Sequence, residues 1–423
     1  MTPYVVVFLA AAATTCVATP LVRRLSVRLG AIAQPSDRMV HEKPTPSMGG
    51  LAMFAGVLVA LTVAAQLPFF DGLGRSRAQW LAVVTATSVI VFFGAVDDIK
   101  GLSAPSKLAA QIFSAGLLAL GGVQLLFFVF PGQGVLSLTA DLAVPLTIVL
   151  VVAMLNAINL IDGLDGLAAG IVAIAAASLF AYMYRSPGAF GDASGAALLA
   201  AVAAGVAVGF LPWNFHPARI FMGDSGAMLL GMLLAAATIF GVGRNPYPPT
   251  GGDLAILALP IFLPLLVLAI PFLDVILAIV RRVRRGSGLA HADKEHIHHR
   301  LLDLGHSHRR AVLLMYLWSA LISACALAVA FIDSRAVIGV VALGALLIFL
   351  ATLVPLALGG RARSPADPVT AGGKPSATQS RPSRDPGAGS STAEARGTPP
   401  ADPSSLHDPA KPGHAPASTE SAS

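Results

Sequence analysis

The chain has 423 residues, 55% of them hydrophobic and only 12% charged, with a mean hydropathy of +0.75. A soluble globular protein carries about 25% charged residues, so this composition excludes one and indicates a polytopic integral membrane protein. The net charge of +6 bears on topology rather than on an acidic partner, and nothing suggests nucleic acid; the 2 cysteines, Cys16 and Cys325, both lie in apolar segments, which excludes a disulfide framework and a cysteine-based zinc site.

Apolar runs approaching the length needed to cross about 30 Å of hydrocarbon fall at roughly residues 3 to 22, 48 to 68, 79 to 96, 108 to 123, 142 to 159, 167 to 184, 196 to 212, 226 to 242, 254 to 280, 311 to 332 and 336 to 358. The expected fold is therefore all-α, with eleven transmembrane helices, or ten if the short, Gly-rich fourth run is discounted. The first run has no basic stretch ahead of it and Arg23, Arg24 and Arg28 behind it. That pattern suits a retained anchor.

The loop behind that anchor runs from Asp37 through His41, Glu42 and Lys43 to Gly50, with Pro44 and Pro46 stiffening it and Gly49 and Gly50 permitting close approach. It reads equally as a basic turn or as a ligand-contacting loop. The third run ends in Asp97-Asp98, followed by Lys100 and Lys107. Adjacent carboxylates repel and favour a nearby cation, and acids at a helix C-terminus oppose its macrodipole. The pair thus suits a metal-phosphate site, with the lysines available to substrate phosphate.

The fifth run ends in Asn156-Ala-Ile-Asn159-Leu-Ile-Asp162-Gly-Leu-Asp165-Gly-Leu167. If helix continues through it, Asn156, Asn159, Asp162 and Asp165 form one slowly drifting ridge. Lipid cannot be what that ridge faces, and ionisable groups at membrane depth line polar cavities. Ending a helix would employ one acid, not two acids and two amides. Between the seventh and eighth runs, Asp224 of Phe221-Met-Gly-Asp-Ser-Gly226 precedes a long apolar helix. There it would serve either as an N-cap worth about 1 kcal/mol or as the holder of a divalent cation against a phosphate drawn to the helix N-terminus.

The ninth run carries Pro260, Pro264 and Pro271, which predict a bent helix, and then Asp274. Arginines follow, and then a loop containing His291, Asp293, His296, His298, His299 and Arg300. So many arginines repel a metal cation and attract phosphate, which disfavours zinc. Beyond about Arg361, Pro, Ser, Ala, Gly and Thr take over. Residues 1–360 are expected to form the membrane domain and residues 361–423 a disordered cytoplasmic tail.

The loops after odd-numbered runs hold 16 Lys and Arg, those after even-numbered runs 5, and the tail beyond Gly360 7, of the 28 present. Positive charge stays inside. The N-terminus is then expected outside and the C-terminus in the cytoplasm, with every polar cluster on the cytoplasmic face.

Taken together, the His41–Gly50 loop, Asp97-Asp98, the Asn156–Leu167 stretch, Phe221–Gly226 and His296-Ile-His-His-Arg300 resemble the polyprenyl-phosphate N-acetylhexosamine-1-phosphate transferases, the membrane family that includes the WecA and MraY types. The His-x-His-His-Arg form resembles the WecA type, particularly its actinobacterial members. The resemblance implies transfer of a HexNAc 1-phosphate, GlcNAc 1-phosphate above all, from a UDP-sugar to polyprenyl phosphate with release of UMP, at the plasma membrane, as an initiating step of cell-envelope glycopolymer synthesis. It implies Mg2+, with Mn2+ as a substitute, on Asn159 and Asp224, and catalytic roles for Asp97, Asp98, Asp162 and Asp165. Asp97 and Asp98 would orient or deprotonate the lipid phosphate. Substrate contacts would come from His41, Lys107, Asn156, His296, His298, His299 and Arg300, and a homodimer is admissible. The alternatives are the same chemistry on the muramoyl-pentapeptide nucleotide and, from another class, an ion-coupled transporter, whose acids would sit near the midplane.

Overall fold

The computed structural model describes residues 1–34, 44–130, 134–185, 193–242, 261–266, 307–332, 339–340 and 343–349. All of them fall in the unit Met1–Arg363. His41, Asp274, the histidine loop with His296, His298, His299 and Arg300, and the expected tail lie outside the described residues.

The expected spans take shape as α1 (Thr2–Leu29), α2 (Gly50–Ala65), α3 (Arg77–Lys100), α4 (Ala104–Leu120), α5 (Ala140–Ile161), α6 (Leu167–Arg185), α7 (Ala193–Asn214), α8 (Gly223–Val242) and α9 (His308–Phe331). Seven of these are long and apolar enough to cross a membrane, while α2 and α4 are shorter apolar helices. Residues 261–266 of the expected ninth run and 343–349 of the eleventh are also helical. The nine labelled helices match the first eight expected spans and the tenth in order.

Local sequence explains several boundaries. Ser103 and Ser307 cap α4 and α9, each side-chain oxygen accepting a backbone N–H three residues on at 3.4 Å, and Pro105 occupies the first turn of α4, where no N–H is needed. Helix α1 ends at Gly30, whose φ of 74° lies in the left-handed region. At about 1.5 Å per residue, the 28 residues of α1 outrun the hydrocarbon layer, and the surplus carries Arg23, Arg24 and Arg28.

Burial sorts the helices into inner and outer members. Helices α7 and α8 are buried nearly all round, whereas α1 buries one stripe, Tyr4, Val7, Ala11, Thr15 and Thr19, and exposes Val5, Leu9, Val17 and Leu21. That exposed apolar face is the expected partner of lipid. Helix α7 packs on α6, α1, α8 and α2, and α8 packs on α5, α3, α7 and α2. The tight contact of α7 with α1 depends on Gly205, where an added Cβ would come within 2.6 Å of the Phe8 carbonyl oxygen.

Two short antiparallel hairpins depart from the all-helical expectation. One pairs Ile32 with Pro46 and Ala33 with Thr45, and the other joins Phe127–Phe130 to Gly134–Ser137. Both lie in connections between helices, where the backbone has no helical partner and pairs with itself. Helices α1, α3, α5 and α7 end, and α2, α4, α6, α8 and α9 begin, at one end of the bundle, because chain segments there are joined by direct hydrogen bonds: Arg23 to Arg219, Ser47 to Asp98, Asp98 to Asp224, Asn159 to Asp224, and Arg309 to His216. The polar motifs collect there.

Candidate active site

The centre of this end is the start of α8. Gly223 opens the helix at a φ of 69°, and an added Cβ would run into the Asp98 carboxylate, so glycine is required for two reasons. Asp98, coming from the last turn of α3, accepts hydrogen bonds from the backbone N–H of Asp224 at 2.8 Å and of Ser225 at 3.3 Å, and from the hydroxyls of Ser225 at 2.7 Å and Ser47 at 3.2 Å. The capping role that was open to Asp224 is therefore filled from another helix. An acid that would oppose the dipole of α3 instead complements that of α8. Helix α3 comes this close because residue 94 is glycine: a Cβ there would lie 2.5 Å from the Ser225 Cα.

Freed from capping, Asp224 turns its carboxylate to side chains. One oxygen accepts from Lys107 Nζ at 2.7 Å and the other from the Asn159 amide. Lys107 also reaches Asp97 at 2.5 Å, so one ammonium bridges two carboxylates. Asp97 is buried at 6% exposure, and its other oxygen accepts the Leu102 N–H, closing the turn between α3 and α4. Every oxygen of Asp97, Asp98 and Asp224 thus has a partner.

Asp162 differs. Helix α5 stops at Ile161, leaving Asp162 as its C-cap with no hydrogen bond to its carboxylate among the described residues. Burial, followed by the negative charges of Asp224, Asp98 and Asp165, pushes its carboxyl up from 3.8 to about 8. The ridge expected along a continuous helix is accordingly split: Asn156 and Asn159 stand on α5, Asp162 at its end and Asp165 in the loop beyond. Asp165 accepts from the Ala218 N–H at 3.1 Å and pairs with His216 Nδ1 at 2.7 Å. That loop is clamped by Asn214, which accepts the Gly166 N–H at 3.0 Å, and by the Tyr316 hydroxyl of α9, which donates to the Gly166 carbonyl.

A cavity of about 470 Å³ opens over the cluster, with Ser47, Asp97, Asp98, Lys107, Asn159, Asp162, Asp165, Phe221, Asp224 and His308 in its wall. Seven of the residues singled out by sequence therefore meet at one cavity: Asp97, Asp98, Lys107, Asn159, Asp162, Asp165 and Asp224. Asn156 lies one turn deeper, hydrogen-bonded to Gln111 and to the Val152 carbonyl, outside that wall. Ser47, Ser225, His216 and His308 stand in polar segments but were given no role, and Gln111 was not noted at all. Gln111 did carry a local signal, standing one turn after Lys107 in an apolar helix.

The donor set fits a hard divalent cation. Asp224, Asn159 and Asp162 offer only oxygen ligands, and among the described residues no hydrogen bond or ion pair occupies the Asp162 carboxylate. The group Asp165, His216 and His308 is a poorer metal site, although its ligand atoms lie within 4.8 Å of one another. Its imidazole rings stack at 4.2 Å and 19°, so their in-plane lone pairs run side by side and do not converge.

The chain matches the family model described as Glycosyl transferase family 4 over residues 80–242, a stretch that contains Asp97, Asp98, Lys107, Asn159, Asp162, Asp165 and Asp224. It is 44% identical to a decaprenyl-phosphate N-acetylglucosaminephosphotransferase of Mycobacterium leprae over 360 residues, covering 82% of this chain and 89% of the relative. A probable undecaprenyl-phosphate N-acetylglucosaminyl 1-phosphate transferase of Bacillus subtilis is 36% identical, over 74% of this chain and 81% of its own length. Similarity to a phospho-N-acetylmuramoyl-pentapeptide-transferase of Desulforudis audaxviator, 35% identical, extends over 53% of this chain. With its helical order, its cluster of acids and amides and this coverage, the chain belongs to the polyprenyl-phosphate N-acetylhexosamine-1-phosphate transferases, glycosyl transferase family 4.

Proposed function

We propose that this protein transfers GlcNAc 1-phosphate from UDP-GlcNAc to polyprenyl phosphate, releasing UMP, with Mg2+ held at the cavity on the cytoplasmic face of the plasma membrane. The observation that carries this reading is the gathering of five carboxylates, one ammonium and two amides around a single cavity at one end of the bundle. Charge supports the cytoplasmic placement of that end: the site lies at the loops after odd-numbered runs, which hold 16 of the 28 Lys and Arg. A second reading, transfer of the muramoyl-pentapeptide phosphate, is supported by the pentapeptide-transferase relative but over a shorter stretch than the N-acetylglucosamine enzymes.

In the reaction, an oxygen of the lipid phosphate attacks the β-phosphorus of the UDP-sugar, the new P–O bond forms, and the bond from that phosphorus to the bridging oxygen breaks, leaving UMP. The lipid phosphate is largely dianionic near neutral pH and needs little help from a base. Asp97 and Asp98 are already committed, to Lys107 and Leu102 and to the start of α8, so their part is to orient and not to deprotonate. Asp224, Asn159 and Asp162 would hold Mg2+, which would supply positive charge to the reacting phosphates. Lys107, placed between two carboxylates, would exchange one of them for incoming phosphate charge.

The test is an assay of the purified protein with Mg2+, polyprenyl phosphate and a panel of UDP-sugars. UMP released with UDP-GlcNAc is the expected result. Use of the pentapeptide nucleotide alone would favour the second reading, and no UMP with any donor would remove both.

A further inference from the structure

Two tiers of polar contacts, one helical turn apart, tie α4, α5 and α8 together. The upper tier, at the cavity, is Lys107, Asn159 and Asp224. The lower tier is Gln111, Asn156 and Met228, each three or four residues from its counterpart on the same helix face.

The lower tier is closed. Gln111 is 4% exposed, and its amide exchanges two hydrogen bonds with Asn156: Asn156 Nδ2 donates to Gln111 Oε1 at 2.7 Å, and Gln111 Nε2 donates to Asn156 Oδ1 at 3.4 Å. The second N–H of Asn156 reaches the Val152 carbonyl at 2.8 Å, while Gln111 Nε2 also lies 3.7 Å from Met228 Sδ, a weak acceptor. Both amide nitrogens thereby use both of their donors. Such a pair fixes the relative height of two helices, because sliding one by a single residue, about 1.5 Å, would leave buried donors unpaired. Helix α4 runs away from the cavity and α5 towards it, so a height set at Gln111 and Asn156 is carried over one rigid turn to Lys107 and Asn159. A small cavity of about 110 Å³ separates the tiers, so close packing does not set their spacing.

We propose that Gln111 and Asn156 are positioning residues for phosphosugar transfer. Their reciprocal amide pair sets the register of α4 on α5 and so brings the Lys107 ammonium and the Asn159 amide to Asp224 together. In this role the two amides act through Lys107 and Asn159 and not by contact with substrate. The inference rests on the transfer reaction proposed above, because that reaction makes the Lys107, Asn159 and Asp224 arrangement catalytic.

The experiment compares the unaltered protein with Gln111→Leu, with Asn156→Leu and with the exchange Gln111→Asn plus Asn156→Gln, which restores a reciprocal pair. Each single variant is expected to lower kcat by at least about tenfold, equivalent to about 1.4 kcal/mol, with KM for the UDP-sugar changed less than about threefold. The exchange should regain most of that loss. A cryo-electron-microscopy structure of Gln111→Leu should show Lys107 Nζ beyond hydrogen-bond reach of Asp224. Normal kcat in the single variants, an exchange no better than either, or an intact contact between Lys107 and Asp224 would overturn the inference. The unaltered protein separates the two ideas: if it is inactive while Lys107 is displaced in the variant, the reaction fails and the positioning stands. If it is active and the variants match it, the positioning alone fails.

Discussion

Asp224 meets a positive charge, an amide and a helix start within one side chain, and each contact leads to a different expectation on mutation. If it were a helix cap, Asp224→Asn would cost little, since asparagine caps well. Because Asp98 does the capping, the carboxylate is left for charge. Asp224→Asn is therefore expected to lower turnover at least about a hundredfold, some 2.7 kcal/mol of barrier, and to weaken the response to Mg2+ while the protein still folds. Full activity in this variant would contradict the assignment. Asp162 carries the opposite signature, a charge that the fold tolerates badly. With its carboxyl raised from 3.8 to about 8, the folded protein holds a proton that the unfolded chain gives up, so this group destabilises the fold progressively as pH rises between those values. In chelator-containing buffer, Asp162→Asn should melt like the parent near pH 4, gain a widening advantage up to about pH 8, and hold it above. A difference that does not change with pH would sink this account.

At the scale of elements, the apolar runs were legible because lipid selects length and hydropathy without regard to partners. Helix ends were less so. The segment from Asn156 to Asp165 has the spacing of a helical ridge, yet α5 stops at Ile161, because Asp162 takes a non-helical ψ of 51° and Gly166 a φ of 79°. The amides are thereby left on a rigid helix and the acids at its mouth. Sequence also could not pair residues: Asp98 with Asp224, Gln111 with Asn156, and Asp165 with His216 lie 126, 45 and 51 positions apart. Residue types advertise chemistry, whereas which carboxylate caps and which faces the cavity is decided by helix packing. The contact of α3 with α8 tests this. Gly94→Ala places a Cβ against Ser225 one turn before Asp98, where overpacking costs about 1–3 kcal/mol. It should lower both melting temperature and UMP release. Gly116→Ala, in α4, meets nothing within 4 Å and should change neither appreciably. Equal behaviour of the two variants would show that the approach of α3 to α8 does not matter.

For the molecule as a whole, the alternation of helix direction delivers every acid of the site to one end, where a charged nucleotide and a lipid headgroup can meet without either entering hydrocarbon. A transporter would instead place its acids between repeats near the midplane. Gly163 is exposed at the same cavity whose wall holds buried Asp97, so the site is open at its rim and buried at its base. In the proposed reaction phosphorus moves with the sugar. UDP-GlcNAc labelled at the β-phosphorus, incubated with the purified protein, Mg2+ and polyprenyl phosphate and then partitioned into organic solvent, tests it most directly. The label is expected to pass into the lipid phase in step with unlabelled UMP in water; label retained in water as UDP, with the sugar alone on the lipid, would rule out sugar-phosphate transfer.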